Sequence, residues 1–144
     1  MEDELELVLD FPANIARQLL NDQIDIGLVP VAILPELKSY SLVSDYGIAC
    51  DGPVASVCLF SEVPVSEIGE VLMDYQSRTS VQLARILLRD YWKVDPVITE
   101  TKREFSDAIT GQTAGVIIGD RALEQRGYSA YCYDLGEAWK AYTS

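Results

Sequence analysis

Apolar and polar positions alternate along "LELVLDF" (Leu5–Phe11), the two-residue period of a half-buried strand. The period then lengthens. In "PANIARQLLND" the residues Ile15, Leu19 and Leu20 share one face and Pro12 stands near the start, which predicts a helix. "IDIGLVPVAIL" (Ile24–Leu34) is apolar almost throughout and reads as a strand buried on both faces, with Pro30 marking its end. Strand, helix and strand in this order make a crossover unit. Past "SLVSDYGIA" (Ser41–Ala49), a "CDGP" turn leads into the alternating strand "VASVCLFS" (Val54–Ser61). A short helix is predicted around Glu67 and a strand over "EVLMDY". Gln76–Ser80 then open a helix whose apolar face is Val81, Ala84, Leu87, Leu88 and Tyr91. "DPVITE" predicts a strand, "KREFSDAITGQ" a helix ending near Gly111, and "AGVIIGD" a strand ending at Asp120. "RALEQRG" reads as a helix closed by Gly127, "YSAYCYDL" as extended, and "GEAWKAYTS" begins a last helix. The class is α/β.

Composition narrows what such a chain does. Apolar residues make up 49% and charged ones 24% of 144 residues, the balance of an ordinary soluble protein. No apolar run is long enough to cross a bilayer, and "MEDELELVLDF" lacks the basic flank of a signal peptide, so a cytoplasmic location is expected. A net charge of −12 argues against nucleic acid and against a membrane surface as partner. That charge is uneven: residues 1–56 carry ten acids and two bases, residues 57–144 thirteen acids and nine bases. A small anion is therefore better gripped by the second half. Three cysteines without CxxC spacing read as buried free thiols. Histidine is absent, which removes Ser–His and Cys–His nucleophiles and the usual zinc ligand sets. No metal loop and no glycine-rich phosphate loop is present, so neither a metal nor a nucleotide cofactor is indicated. Proton transfer is left to carboxylates, Tyr, Lys, hydroxyls, water or the substrate itself.

Three short stretches carry candidate chemistry. "SRTS" (Ser77–Ser80) follows a strand and opens a helix, exposing backbone N–H groups that lack intrahelical partners. Ser77, Thr79 and Ser80 add hydroxyls, and Arg78 can pair bidentately with a carboxylate or phosphate. The plainer alternative is a helix cap made by Ser77 or Thr79 with Arg78 in solvent. "CDGPVAS" (Cys50–Ser56) offers the Ser56 hydroxyl at a strand start and Asp51 as a base, or else a turn in which Asp51 bonds its own backbone. "VIIGDRAL" (Val116–Leu123) sets Gly119 and Asp120 at the end of a buried strand, where ligands of α/β sheets bind; Asp120 also suits a helix cap. Tyr128, Tyr131 and Tyr133 read as half core and half surface.

The order of "DGPVASV", "SRTSVQLARILL", "IGDRAL" and "YDLGEAW" resembles the chorismate dehydratase family of the futalosine route to menaquinone, from about Phe11 to Thr143. The resemblance implies a type II periplasmic-binding-protein-like fold of two α/β lobes. Residues 1–56 would belong to lobe 1 and 57–144 to lobe 2, with a crossover strand at about 54–61. Family members usually open with a strand carrying a Ser-Tyr-Leu-Asn-like stretch and continue past the last helix seen here, so the first lobe is expected to be incomplete in this chain. The implied substrate is chorismate, a small dianion that loses water to give 3-[(1-carboxyvinyl)oxy]benzoate. Ser56, Ser77, Arg78, Thr79, Ser80, Gly119 and Asp120 would then bind it. Ser56 is the catalytic candidate, and Asp51 or Asp120 would be the base only if the protein, and not the substrate's own enolpyruvyl carboxylate, takes the proton. The same fold also serves solute-binding proteins, which hold a small carboxylate without turnover.

Overall fold

The computed structural model describes residues 5–144. At its centre is one five-stranded sheet in the order β3-β2-β4-β1-β5, built from β1 (Val57–Ser61), β2 (Glu70–Met73), β3 (Val97–Glu100), β4 (Thr113–Ile118) and β5 (Tyr131–Asp134). β2 runs parallel to β3 and to β4, whereas β1 runs antiparallel to both its neighbours, β4 and β5. Among the described residues four α-helices accompany the sheet: α1 (Pro12–Leu20), α2 (Thr79–Ile86), α3 (Asp120–Gln125) and α4 (Leu135–Thr143). A π-helical turn, Leu87–Tyr91, extends α2.

Strand alternation distributes the core to both sheet faces. On one face Leu59, Val71, Met73, Ala114 and Val116 meet Val81, Ala84, Leu87 and Leu88 of α2 and its extension, with Leu135 and Ala138 of α4. On the other, Cys58, Phe60, Leu72 and Ile117 meet Ala122 of α3 and the loop residues Phe105 and Ile109. Gly115 of β4 is the gap those two fill, since a β-carbon there would lie 2.7 Å from both Ile109 Cδ1 and Phe105 Cε2.

Several predicted elements take a different form. Leu5–Phe11 is irregular, and Leu5, Leu7 and Leu9 are exposed, because no strand pairs with this stretch among the described residues. Ile24–Leu34 is not a buried strand either. It is irregular to Pro30 and then a 3₁₀ helix, Val31–Glu36, started by Pro30 and carrying Pro35 inside. Two prolines fix φ and remove two ladder donors, so the tight helical turn wins over the sheet. The helix expected over "KREFSDAITGQ" shrinks to a 3₁₀ turn, Ser106–Ala108. Glu104 takes the backbone N–H groups of Phe105 and Ser106 at 2.8 and 2.9 Å, an alternative to helix pairing. "VASVCLFS" becomes strand only from Val57, since Ala55 sits at a φ of 61°.

All three cysteines are free, but only Cys58 is buried; Cys132 is half-buried, and Cys50 is exposed in an irregular stretch. Burial, with the neighbouring Cys132, pushes the Cys58 thiol up to about 12. Tyr133 is half-buried with its hydroxyl accepting from the Val65 N–H at 2.9 Å, and Tyr128 lies in solvent. Among the described residues no helix is long and apolar enough to cross a membrane.

The Gly115 packing gives a stability test. Gly115→Ala is expected to lower unfolding stability by about 1–3 kcal/mol through overpacking. Gly47→Ala, which meets nothing within 4 Å, should leave the urea midpoint unchanged.

Candidate functional site

The antiparallel course of β1 builds the site. Pairing Val57 with Ile118 sets the start of β1 beside the end of β4, and β4 lies parallel to β2, so one end of these interior strands, called the edge below, gathers Ser56, Asp74 and Gly119. The Gly119 N–H donates to the Ser56 carbonyl at 2.8 Å. Gly119 has φ 69° and ψ −151°, a conformation open to glycine, and turns the chain from β4 directly into α3.

Asp74 ties this edge together. Its side chain has no solvent exposure. One carboxylate oxygen accepts from the Gln76 N–H at 2.7 Å, the other from the Ile118 N–H at 3.0 Å and from Arg121 at 2.7 Å. Arg121 also reaches Glu104 at 3.1 Å and lies 5.1 Å over the Tyr75 ring. Burial works against the Glu104 carboxylate, but the Ser106 hydroxyl, the Ser106 and Phe105 N–H groups and Arg121 outweigh it and bring its pKa down to about 2. The same carboxylate holds Arg121 charged: burial opposes, while Asp74 and Glu104 raise its pKa.

The turn after Asp74 delivers Ser77–Ser80. Ser77 is the cap, its hydroxyl accepting from the Ser80 N–H at 3.1 Å. Capping does not use up the segment. The Thr79 hydroxyl oxygen is buried and has no hydrogen-bond partner, and Ser80 is buried in the first turn. Arg78 spans to the 3₁₀ helix and meets both Glu36 oxygens at 3.2 and 3.5 Å.

Between this helix start and α1 lies a hollow of about 370 Å³. Ser77, Arg78 and Gln82 line one side, Asn14 and Arg17 the other, and Asp74, Tyr75 and Thr101 lie along its wall. Glu36, Asp74 and Glu100 line it too, so the two guanidinium groups, a hydroxyl and two amides suit an anionic ligand that takes Arg78 over from Glu36. A larger hollow, about 490 Å³, is lined by Glu62, Glu104, Asp107 and Glu124 with only Arg121 opposing them, a setting that disfavours a carboxylate.

Of the residues singled out in the sequence, Ser77 and Arg78 line the smaller hollow. Thr79 and Ser80 stand behind them in α2, and Ser56 and Gly119 are joined through their backbones on the same edge. The Ser56 hydroxyl is half-buried, with a long 3.4 Å bond to the Val54 carbonyl. Asp120 is exposed at the first position of α3. Asp51 is 91% exposed, pairs with Lys140 at 3.1 Å and does not line the hollow. Asp74, Arg121, Asn14 and Arg17 escaped the sequence reading. Asp74 directly before the polar "YQSRTS" turn was a signal available for the first, since an acid leaving a strand commonly bonds the next backbone N–H groups.

The whole chain, residues 1–144, matches a protein family described as menaquinone biosynthesis. A protein of Thermus thermophilus named chorismate dehydratase is 28% identical over 127 residues, which cover 88% of this chain and 45% of that protein. The chain thus spans less than half the length of the curated relative it matches.

Glu104 gives the edge a pH dependence of definite sign. Its folded pKa, about 2, lies below the ordinary 4.5, so its contribution to stability is complete above 4.5 and disappears as pH falls toward 2. Stability followed by denaturant unfolding from pH 6 to pH 2 is expected to fall less steeply in Glu104→Gln than in the parent. Asp74→Asn is expected to cost about 2–4 kcal/mol at pH 7, since it weakens a buried ion pair and unsettles two backbone donors.

Proposed function

The chain belongs to the menaquinone-biosynthesis family, and from that premise we propose that it is a lyase that dehydrates chorismate to 3-[(1-carboxyvinyl)oxy]benzoate. The observation that carries the reading is the hollow at the start of α2, where Arg78 and Ser77 face Arg17 and Asn14. A dianion needs cationic and hydrogen-bonding groups, and here it would replace Glu36 as the partner of Arg78, with Arg17 and the hydroxyl and amide groups completing the contacts. Behind these residues Thr79 carries a buried hydroxyl without a partner, in the first turn of α2 where N–H groups lack intrahelical acceptors.

The reaction breaks the C–H bond at the ring carbon bearing the enolpyruvyl ether. Its electrons form the last ring double bond as the neighbouring hydroxyl leaves, protonated, as water. Aromatisation supplies the driving force, so the protein's work is to position the substrate and manage two protons. Two observations favour the enolpyruvyl carboxylate as the base. The chain has no histidine. The buried carboxylate nearest the site, Asp74, is engaged by three donors. Arg78, Thr79 and Ser80 would hold the substrate while Ser56 donates to a carboxylate or to the departing hydroxyl. A further carboxylate acting on a dianion would add repulsion.

In this reading the protein acts in the cytoplasm, on the futalosine route, with a type II periplasmic-binding-protein-like architecture. Residues 57–144 form lobe 2 and residues 1–56 contribute to lobe 1. Support for the division comes from the sheet, which begins at Val57, and from the apolar side chains of residues 5–48, most of which lie outside its core.

Mass spectrometry of chorismate incubated with the protein is expected to show loss of one water above a protein-free control. Return of the ligand unchanged would make the protein a binder and overturn the reading. Arg78→Ala is expected to raise KM about tenfold or more, the loss of one charge-assisted contact. Asp51→Asn and Asp120→Asn should each keep turnover within about twofold. Abolished turnover with binding intact in either would instead assign the proton to the protein.

A further inference from the structure

The "YDLGEAW" stretch has no role in the hollow, yet it is built around the loop that carries Ser56. β5 ends at Asp134, opposite Cys58 of β1, and the chain passes straight into α4. The Asp134 carboxylate is buried and divides its two oxygens between two tasks. Oδ1 caps α4, accepting from the N–H groups of Gly136 and Glu137 at 2.9 and 3.1 Å, and lies 3.2 Å from the Val54 N–H as well. Oδ2 accepts from the N–H groups of Val54 and Ala55 at 3.0 and 2.7 Å.

The loop held in this way is strained. Ala55 has φ 61°, the left-handed region that costs a residue with a β-carbon roughly 1–2 kcal/mol. Strain of this kind persists only where the surroundings over-determine it. Here they do. Arg126 Nε donates to the Ala55 carbonyl at 2.9 Å, and its guanidinium lies 3.6 Å from Asp134. The Ser56 N–H turns back to the Val54 carbonyl at 2.7 Å, and the Ser56 carbonyl is held by Gly119. Gly136 lets the loop come close, since a β-carbon there would collide with the Gly52 carbonyl oxygen.

We propose that Asp134 is a positioning residue for Ser56: its Oδ2 holds the Val54–Ala55 backbone in the left-handed turn that fixes where the Ser56 hydroxyl stands. The proposal rests on the dehydratase reading for the role of Ser56, whereas the clamp itself stands on the geometry. Capping and clamping are separable. Serine or asparagine at position 134 still caps α4 with one oxygen, but neither supplies the second oxygen that takes the Ala55 N–H and the shorter of the two bonds from Val54.

The test is a double-mutant cycle on chorismate turnover, with folding of every variant checked by thermal unfolding. Asp134→Ser and Asp134→Asn are each expected to lower kcat/KM about tenfold or more. In a Ser56→Ala background the same changes should add less than about twofold, because the two residues act as a unit. Adding Ala55→Gly, which removes the left-handed penalty, should recover part of the loss in Asp134→Ser. An Asp134→Ser protein that is folded and fully active would overturn the proposal, as would equal losses in both backgrounds. Amide hydrogen exchange separates the proposal from the reading beneath it. The Val54 and Ala55 amides should exchange about tenfold faster in Asp134→Ser while β4 amides keep their protection. If the parent protein does not dehydrate chorismate, the reading falls and exchange alone decides whether Asp134 holds the loop. Unchanged exchange at those two amides would sink the clamp whatever the turnover.

Discussion

Asp74 is a carboxylate without solvent contact that bonds donors from three places: the turn into α2, the last residue of β4, and Arg121 of α3. Taking a charge out of water is costly unless its partners are close and complete, and here each oxygen is used. The edge that carries Ser77, Arg78 and Gly119 is therefore fixed as a unit. Loosening any one of those elements would leave a buried charge under-bonded. The Arg78–Glu36 pair is of a different kind. Its two side chains are 33% and 56% exposed, so its partner can be exchanged for a ligand carboxylate at small cost. Rigid backbone and an exchangeable guanidinium together are what the proposed site would need to be placed in advance and still free to bind.

What could be read in the sequence followed the range of the forces involved. Val57–Ser61 and Thr113–Ile118 were legible as strands because burial on the sheet faces leaves a local apolar pattern. Ser77 as a cap was legible because its partner is three residues away. Ile24–Leu34 was not, since an apolar run signals burial or packing without saying which backbone carries it, and Pro30 and Pro35 decided for a 3₁₀ turn. The helix expected around Phe105 failed because Glu104 offers those N–H groups another acceptor. Asp74 and Asp134 were beyond local reading: Ile118 lies 44 positions after the first and Val54 80 positions before the second.

The two buried aspartates also show where a chain with a net charge of −12 keeps part of its negative charge. Each is surrounded by donors that neutralise it locally, backbone N–H groups and a guanidinium in both cases. Burial opposes the ionised form of Asp134, but four backbone N–H groups hold its pKa below the ordinary value. Charge that is spent on structure in this way acts little beyond its own partners.

The antiparallel course of β1 also governs the order in which the molecule can be made. During synthesis β1 emerges before any other strand, yet Leu59 has no partner until Val116 and Tyr133 exist. Both edges of an apolar strand thus stay unsatisfied while most of the sheet is still to come. Late, long-range closure of this kind slows folding and exposes nascent chains to association. A growing chain of this protein is most vulnerable through β1, a strand that ends up enclosed between β4 and β5.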